Sequence, residues 1–387
     1  MAEKQLKPGW KVWRFDQIAT NVNERVDNPS ESGMEHYVGL EHLDSDSLKI
    51  RRWGSPDDVE ATKLIFRKGD IIFGRRRAYQ RKLGVAEFDG ICSAHAMVLR
   101  AKPDVVLPEL LPFFMQSDVF MNRAVEISVG SLSPTINWKT MAEQEFTLPP
   151  MDEQHRLVEF MESIAALEEE LRTAEREAGR LQKSAIQELL DADLNGWPTQ
   201  PIGQLFKVTA GGTPSRNNAT FWNGGVPWVK TGEVNYSVIQ STEEHISVEG
   251  LRGSTAKLCP PNSVLIALYG QGPTRGRVGM LGIEAAVNQA CAAIFPSEDF
   301  DPWFVYYYLA SKYQSLRAMA QGAAQPNLNL AMIKGFVMPT PALEDQKAAV
   351  AGIDTLVQAR AEIRRRYEQA AEMKRKFLDR EICNVVH

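Results

Sequence analysis

A chain of 387 residues, 44% of them apolar, with a formal net charge of −5 exceeds what one ordinary core accommodates and is expected to form two or three domains. Residues 1–10 hold no apolar run that could act as a signal peptide and no stretch reaches the length of a membrane span, which argues against a secreted or membrane-embedded protein. Cys92, Cys259, Cys291 and Cys383 are scattered without a Cys-x-x-Cys pair, as expected for reduced thiols in the cytoplasm.

Taken in order, the elements occur twice. Gly9-Trp10 opens a segment ending in Phe15-Asp16-Gln17-Ile18, and about 187 residues later Gly196-Trp197 opens one ending in Ile202-Gly203-Gln204-Leu205. Strands are predicted at 37–40, 70–73 and 97–100, then at 226–230, 263–268 and 290–295, each following a turn-rich stretch. Pro108, Phe114, Ser117 and Arg123 stand about 194 positions before Pro302, Tyr308, Ser311 and Arg317, which marks a helix in each half. Asn137, Pro149 and Gln154 then stand about 192 positions before Asn329, Pro341 and Gln346. A repeat that persists this far is an internal duplication.

Each half ends in a long helix. From 152 to 193 two apolar heptad rows interleave, Leu157-Ile164-Leu171-Ala178-Ala185 and Phe160-Leu167-Ala174-Leu181, without a proline. One helix of about 40 residues, on the order of 60 Å long, is predicted there. The second continues the pattern through Leu356, Ile363, Ala370 and Phe377, with Met373 matching Leu181 at the same spacing. The 152–193 segment carries twelve acids against five bases, whereas 360–380 carries eight bases against four acids. Complementary seams and charges predict an antiparallel coiled coil, with Leu157, Ile164, Leu167, Leu171, Leu181, Leu356, Ile363, Met373 and Phe377 as its packing residues. Each helix packing on its own domain, or a homodimer, is the alternative. The architecture expected is α+β: mixed domains at 1–150 and 196–340, helices at 151–195 and 341–387, and a pseudo-two-fold relation between the halves.

Because the acidity belongs to one helix, the net charge does not exclude a nucleic-acid partner. Arg75, Arg76, Arg77, Tyr79, Gln80, Arg81 and Lys82 directly follow the 70–73 strand, and Tyr269, Gln271, Thr274, Arg275 and Arg277 follow its counterpart. Guanidinium forks suit phosphate oxygens and the O6/N7 edge of guanine, and amides and aromatics interleave with them. Thr213, Ser215, Arg216, Asn217 and Lys230, with Arg25 in the first half, are further candidates. Ser133, Thr135 and Asn137, matched by Gln325, Asn327 and Asn329, read equally well as turn and cap chemistry. The aromatic run Trp303 to Tyr308 is expected to be core, since its first-half match Leu111, Phe113 and Phe114 is apolar. Catalytic signatures are missing: there is no phosphate-binding loop, dinucleotide fingerprint or nucleophile elbow, the histidines fall at no metal spacing, and Pro149-Pro150-Met151 lacks the preceding amide or acid of an amino-methyltransferase motif.

In this order Gly211-Gly212-Thr213-Pro214-Ser215, Trp222, Val226-Pro227-Trp228, Asn288-Gln289-Ala290 and the proline-led entry into the second long helix resemble the specificity subunit of type I restriction-modification systems. The resemblance covers nearly the whole chain, although the first half lacks the Gly-Gly-Thr-Pro-Ser loop. It implies two target recognition domains that each read half of a split site on double-stranded DNA, held apart by the helices. It further implies a non-catalytic chain without cofactors of its own, serving phage defence. Its partners would be two copies of a methyltransferase subunit using S-adenosylmethionine, which flip and methylate a base, and a motor-nuclease subunit using ATP and Mg²⁺. A stand-alone DNA-binding regulator dimerising through its helices is the rival reading.

Overall fold

Short runs of apolar residues bounded by turns give short strands, and in both halves the central strands pair in the same order. The computed structural model describes residues 6–270, 273–320 and 327–382. The chain divides into two compact units, Met1–Arg172 with Arg365–His387, and Thr173–Arg364. Each long helix is divided between the two units.

In the first unit an antiparallel sheet runs Ala19–Val22, Met97–Ala101, Ile71–Phe73, Leu83–Val85. A second runs Arg25–Val26, Lys63–Phe66, Gly90–Cys92, Tyr37–Val38, its last pair parallel. Lys11–Arg14 pairs with Glu145–Leu148 and ties the start of the domain to its end. The second unit repeats this plan. Val208–Ala210, Cys291–Ile294, Val264–Ala267 and Val278–Leu281 form the first sheet, Trp222–Val229 lies parallel to Ala285–Val287 in the second, and Thr199–Pro201 pairs with Val337–Pro339. The edges differ: Val238–Ile239 adds a parallel pair to Val278–Leu281, where the first unit has an isolated Lys49–Val85 bridge, and Glu244–Ile246 flanks Trp222–Val229, whereas in the first unit Arg25–Val26 flanks Lys63–Phe66. The duplication is thus one of hydrogen-bond pattern as well as of sequence.

Burial of continuous apolar strands and aromatic helices supplies each core. In the first unit Phe15, Phe73, Phe114, Phe120 and Phe146 pack together, with ring centroids 5.3–5.8 Å apart for Phe114–Phe146 and Phe15–Phe146. In the second, Phe304, Tyr306 and Tyr308 of Pro302–Ser311 lie inside the core, as expected for the aromatic run, whereas Trp303 in its first turn stays 37% exposed. Two of the tyrosine hydroxyls are satisfied: that of Tyr308 donates to the Val337 carbonyl (3.0 Å) and that of Tyr307 to Asp354 (2.7 Å).

The long helices span Met151–Leu189 and Leu343–Ile382. The first stops four residues short of the predicted end because Asp191 starts a new helical turn: its carboxylate accepts from the Asp193 and Leu194 N–H groups, and Gly196 closes the turn at φ 64°. Each helix is pinned to its domain by a fully buried glutamine. Gln154 Nε2 donates to the Val105 (2.9 Å) and Pro149 (3.0 Å) carbonyls while Oε1 accepts from Leu107 N–H (2.9 Å). Gln346 makes the same set with Asp299, Pro341 and Asp301 (3.0, 3.0 and 2.8 Å).

Along the helices, Leu157, Met161 and Ile164 are buried, and Leu157, Met161 and Leu378 belong to the first unit's core. Phe160 meets Phe377 with centroids 4.1 Å apart and Glu168 meets Lys374 at 2.6 Å. In the second unit Arg360 donates twice to Glu175 (3.0 and 2.7 Å) and once to Gln182 (3.2 Å), and Gly352 lies beside Leu189. Ala349, Val350 and Ile353 join the second core. Leu171, Leu356, Ile363 and Phe377 are half-buried. The interleaved row is different: Leu167, Leu181 and Met373 stay 41%, 63% and 48% exposed. Those three do not pack in a closed seam within this chain. A helix facing a domain and one neighbouring helix buries a single row, and the 3.6-residue turn carries the other outward.

Candidate nucleic-acid interface

The basic segment of the first unit is built as a turn whose handedness the arginines themselves adopt. Arg77 (φ 59°) and Arg81 (φ 52°) sit in the left-handed region and flank the short 3-10 turn Ala78–Gln80, which buries Ala78 and leaves Tyr79 54% exposed. Arg81 is then turned inward. It donates to Asp46 (2.5 Å), Asp118 (2.8 Å) and the Gln116 carbonyl (2.5 Å). Lys82 likewise donates to the Leu40 carbonyl (2.8 Å). Arg81 holds the fold, because a guanidinium satisfied by two carboxylates has little charge left for phosphate, whereas Lys82, bonded to a neutral carbonyl, keeps its charge.

Arg77 is exposed, and Arg75 and Arg76 beside it are half-buried. Arg75 donates to the Ala94 carbonyl (2.9 Å), and its Nε is buried without a hydrogen-bond partner. Arg76 and Arg77 each donate to the Ser133 hydroxyl at 3.2 Å, and Arg76 lies 3.5 Å from His95 Nε2. Partial burial and the nearby guanidiniums of Arg76 and Arg75 hold the His95 imidazole below its ordinary range. Backbone pairing brings Ser133 and Thr135 here: Arg77 N–H donates to Pro134 O (2.7 Å) and Ile136 N–H to Arg75 O (3.0 Å). Two features separate in the sequence, the basic run and the 133–137 polar cluster, are thereby one surface. Arg75 also lines a polar groove with Asn21, Asn23, Arg25 and Trp138.

In the second unit the residues of the glycine loop converge on the junction of the two sheets. Gly211 N–H donates to Cys291 O (3.1 Å) and Gly212 N–H to Val287 O (2.9 Å), while the buried Trp228 indole donates to Gly212 O (2.9 Å). A Cβ on Gly211 would lie 2.1 Å from the Val287 carbonyl oxygen, and one on Gly212 2.2 Å from Ala256 N, so only glycine allows this approach. Thr213 bonds to Gln289, and Asn288 accepts from Thr231 (2.9 Å) and from Ala290 N–H (2.9 Å). The motif thus positions Ser215 and Arg216 on an exposed rim.

Arg216 stacks on Trp222, its guanidinium 3.7 Å from the ring centroid, and bonds Glu244 at 2.5 Å. Lys230 bonds Glu243 (2.5 Å) and lies 3.4 Å from Glu244. The hydrogen bond from Arg216 is the chief reason the Glu244 carboxyl sits below its ordinary pKa of 4.5. Carboxylates therefore accompany both predicted cations, a combination that can both donate to guanine and accept from cytosine N4.

The loop after Val264–Ala267 is aromatic as well as basic. Tyr269 is 41% exposed, and Tyr236, 42% exposed, faces Tyr313 across 6.2 Å. The Tyr313 hydroxyl donates to Pro273 O (2.7 Å) and accepts from Arg317 (3.1 Å), which also donates to Arg275 O (3.1 Å). Burial, then the neighbouring Tyr313, pushes the Tyr236 hydroxyl up to about 12. Arg275 Nε is buried without a partner, Thr274 and Arg277 are half-buried, and Gln271 lies outside the described residues. Tyr236, Tyr313 and Arg317 were not foreseen as site residues. Arg317 was visible only as the match of Arg123, and nothing in the local sequence places Tyr236 beside a helix so far along the chain.

Among the described residues no helix is long and apolar enough to cross a membrane, and Cys92, Cys259 and Cys291 are buried free thiols.

The family model for the type I restriction modification DNA specificity domain matches residues 10–177 and 195–373, one segment per half. The chain is 27% identical over 210 residues to the EcoR124I/EcoR124II specificity subunit of Escherichia coli, covering 52% of this chain and 51% of that one. It is 21% identical to a putative type I restriction enzyme MjaX specificity subunit of Methanocaldococcus jannaschii over 97% of this chain and 91% of the other. The chain spans about half the length, or less, of the Escherichia coli relatives it matches. Among solved structures, a chain from a study of the assembly and conformational transition of the type I R-M system superposes with a TM-score of 0.66 at 23% identity, covering 97% of this chain and 98% of that one. The HsdS subunit of Thermoanaerobacter tengcongensis gives 0.52 at 22% identity, with 98% of both chains covered. These likenesses establish the fold.

Proposed function

The chain belongs to the type I restriction modification DNA specificity family, and from that premise we propose that it is the DNA-reading subunit of a type I restriction-modification complex. Each unit reads one half of a bipartite site in double-stranded DNA. The observation that carries this is the repetition, in two units of matching strand order, of an exposed basic and aromatic loop after the same central strand. Arg75, Arg76, Arg77, Tyr79 and Gln80 act in the first unit, and Thr213, Ser215, Arg216, Lys230, Tyr269, Thr274, Arg275 and Arg277 in the second. Phosphate contacts set position and base-edge contacts set sequence. Phe160–Phe377 and Glu168–Lys374 within the first unit, and Glu175–Arg360 and Leu189–Gly352 within the second, pair residues that advance on one helix with residues that retreat on the other, which supports reading the antiparallel helices as a coiled-coil spacer between readers.

The chain itself carries out no chemistry on this reading and acts in the cytoplasm. Two modification subunits bearing S-adenosylmethionine dock around the helices, where Leu167, Leu181 and Met373 offer exposed apolar surface, and an ATP- and Mg²⁺-dependent restriction subunit joins them. Co-expression with a cognate modification subunit should give a stable complex, and sequencing of modified bases in those cells should show one split motif with a fixed gap. Methylation at a continuous motif, or its persistence without this chain, would overturn the proposal.

A further inference from the structure

The first unit holds a large apolar side chain where solvent alone surrounds it. Leu132 is 91% exposed, at the apex of the loop Gly130-Ser131-Leu132-Ser133-Pro134, whose other residues are small or cyclic. The loop is nonetheless held at its base. Val129 and Thr135 exchange both backbone hydrogen bonds (3.0 Å each), Gly130 turns the chain at φ 116°, and the Arg77–Pro134 and Ile136–Arg75 bonds staple the hairpin to the basic segment. Two guanidiniums converge on Ser133, the neighbour of Leu132. An exposed leucine contributes little to the folded chain, which leaves this one available to a partner. Cations beside it select a polyanion as that partner. A guanidinium pair around a rigidly presented aliphatic side chain is the arrangement by which proteins anchor on phosphates and press an apolar wedge between base pairs.

We propose that Leu132 is a wedge that enters a base step of the half-site read by the first unit, with Arg76 and Arg77 gripping the flanking phosphates. This deepens the DNA-reading function and rests on it. The wedge selects sequence indirectly, favouring steps that unstack readily, such as pyrimidine–purine steps.

The test uses the complex of the full chain with its modification subunit and a duplex carrying the split motif defined by the methylation map. 2-Aminopurine is placed in turn at each position of the first unit's half-site. For the unsubstituted chain, fluorescence should rise at one step on binding. Leu132→Ser should abolish that rise and weaken binding roughly ten- to a hundredfold, the worth of one buried leucine, while leaving the salt dependence of binding unchanged. Arg76→Ala should instead lower the salt slope by about one. Leu132→Met should retain most of both signals. Absence of an unstacking signal, unchanged affinity in Leu132→Ser, or a loss of complex assembly in place of DNA affinity would each overturn the wedge. Failure of the unsubstituted complex to bind or methylate a split motif would instead refute the DNA-reading function itself.

Discussion

Replacing Gln346 by leucine removes one side chain that serves three backbone groups. The residue has no exposed surface, and leucine fills nearly the same space, so the cavity term is small. What remains are the Asp299 and Pro341 carbonyls and the Asp301 N–H without their partners. A buried polar group left unpaired costs about 1–3 kcal/mol, and Asp299 lies near solvent, so the lower end applies to it. Setting roughly 1 kcal/mol gained by the apolar side chain against three such losses gives a net destabilisation of about 3 kcal/mol. For a unit of this size that corresponds to a fall in Tm of about 6–12 °C. Gln346→Glu should be at least as harmful near neutral pH, because the carboxylate presents lone pairs to two carbonyls. Its penalty should shrink as pH falls and the acid regains a donor. Urea unfolding of the purified chain gives the number directly. Gln154→Leu, which breaks the equivalent three bonds in the other unit, should cost the same, and the double substitution should be additive because the sites share no partner. A loss below 1 kcal/mol for either would show that these glutamines do not pin the helices.

Further outcomes follow from the two interfaces. Gly212→Ala should destabilise the second unit by about 1–3 kcal/mol or more, since its Cβ would strike backbone atoms that cannot retreat; thermal melting measures it. Arg81→Ala should lower stability by about 1–3 kcal/mol through its three lost bonds, whereas Arg76→Ala should leave the melting temperature within about 2 °C and weaken DNA binding. Glu244→Gln should free Arg216 and Lys230 from part of their counter-charge and strengthen DNA binding at low salt, seen as a steeper salt dependence in filter binding or anisotropy. Because Arg216 depresses the Glu244 carboxyl, the pair's contribution is present above the unfolded pKa near 4.5 and fades as pH falls through the lower folded value. NMR titration of Glu244 should show its pKa returning toward that ordinary value in Arg216→Ala.

Periodicity and repetition are local properties of a sequence, and what depends on them was legible. The duplication, the strands around Ile71, Met97 and Val264, both long helices and the buried aromatic run follow from turn residues, apolar runs and matched spacing. The families of residues in Gly211-Gly212-Thr213-Pro214-Ser215 and Asn288-Gln289-Ala290 were legible as motifs. Why they recur together was not, because Gly212 and Val287 meet only through strands that lie 75 residues apart. The two-residue strand Arg25–Val26 was not legible for the same reason, since it exists through its partner Lys63–Phe66, and the strand expected at 37–40 is confined to Tyr37–Val38.

Charge was legible in amount but not in use. The sequence of residues 75–82 determined that five cations stand together, yet only folding turned Arg81 toward Asp46 and Asp118 and left Arg76 and Arg77 beside Ser133. It determined two heptad rows, yet packing on a domain buried Leu157 and Ile164 and left Leu167 and Leu181 exposed. The physical reason is common to both. Composition and period specify what a segment can offer, whereas the distant backbone that meets it decides which side chains are satisfied inside the chain and which remain for DNA or a partner.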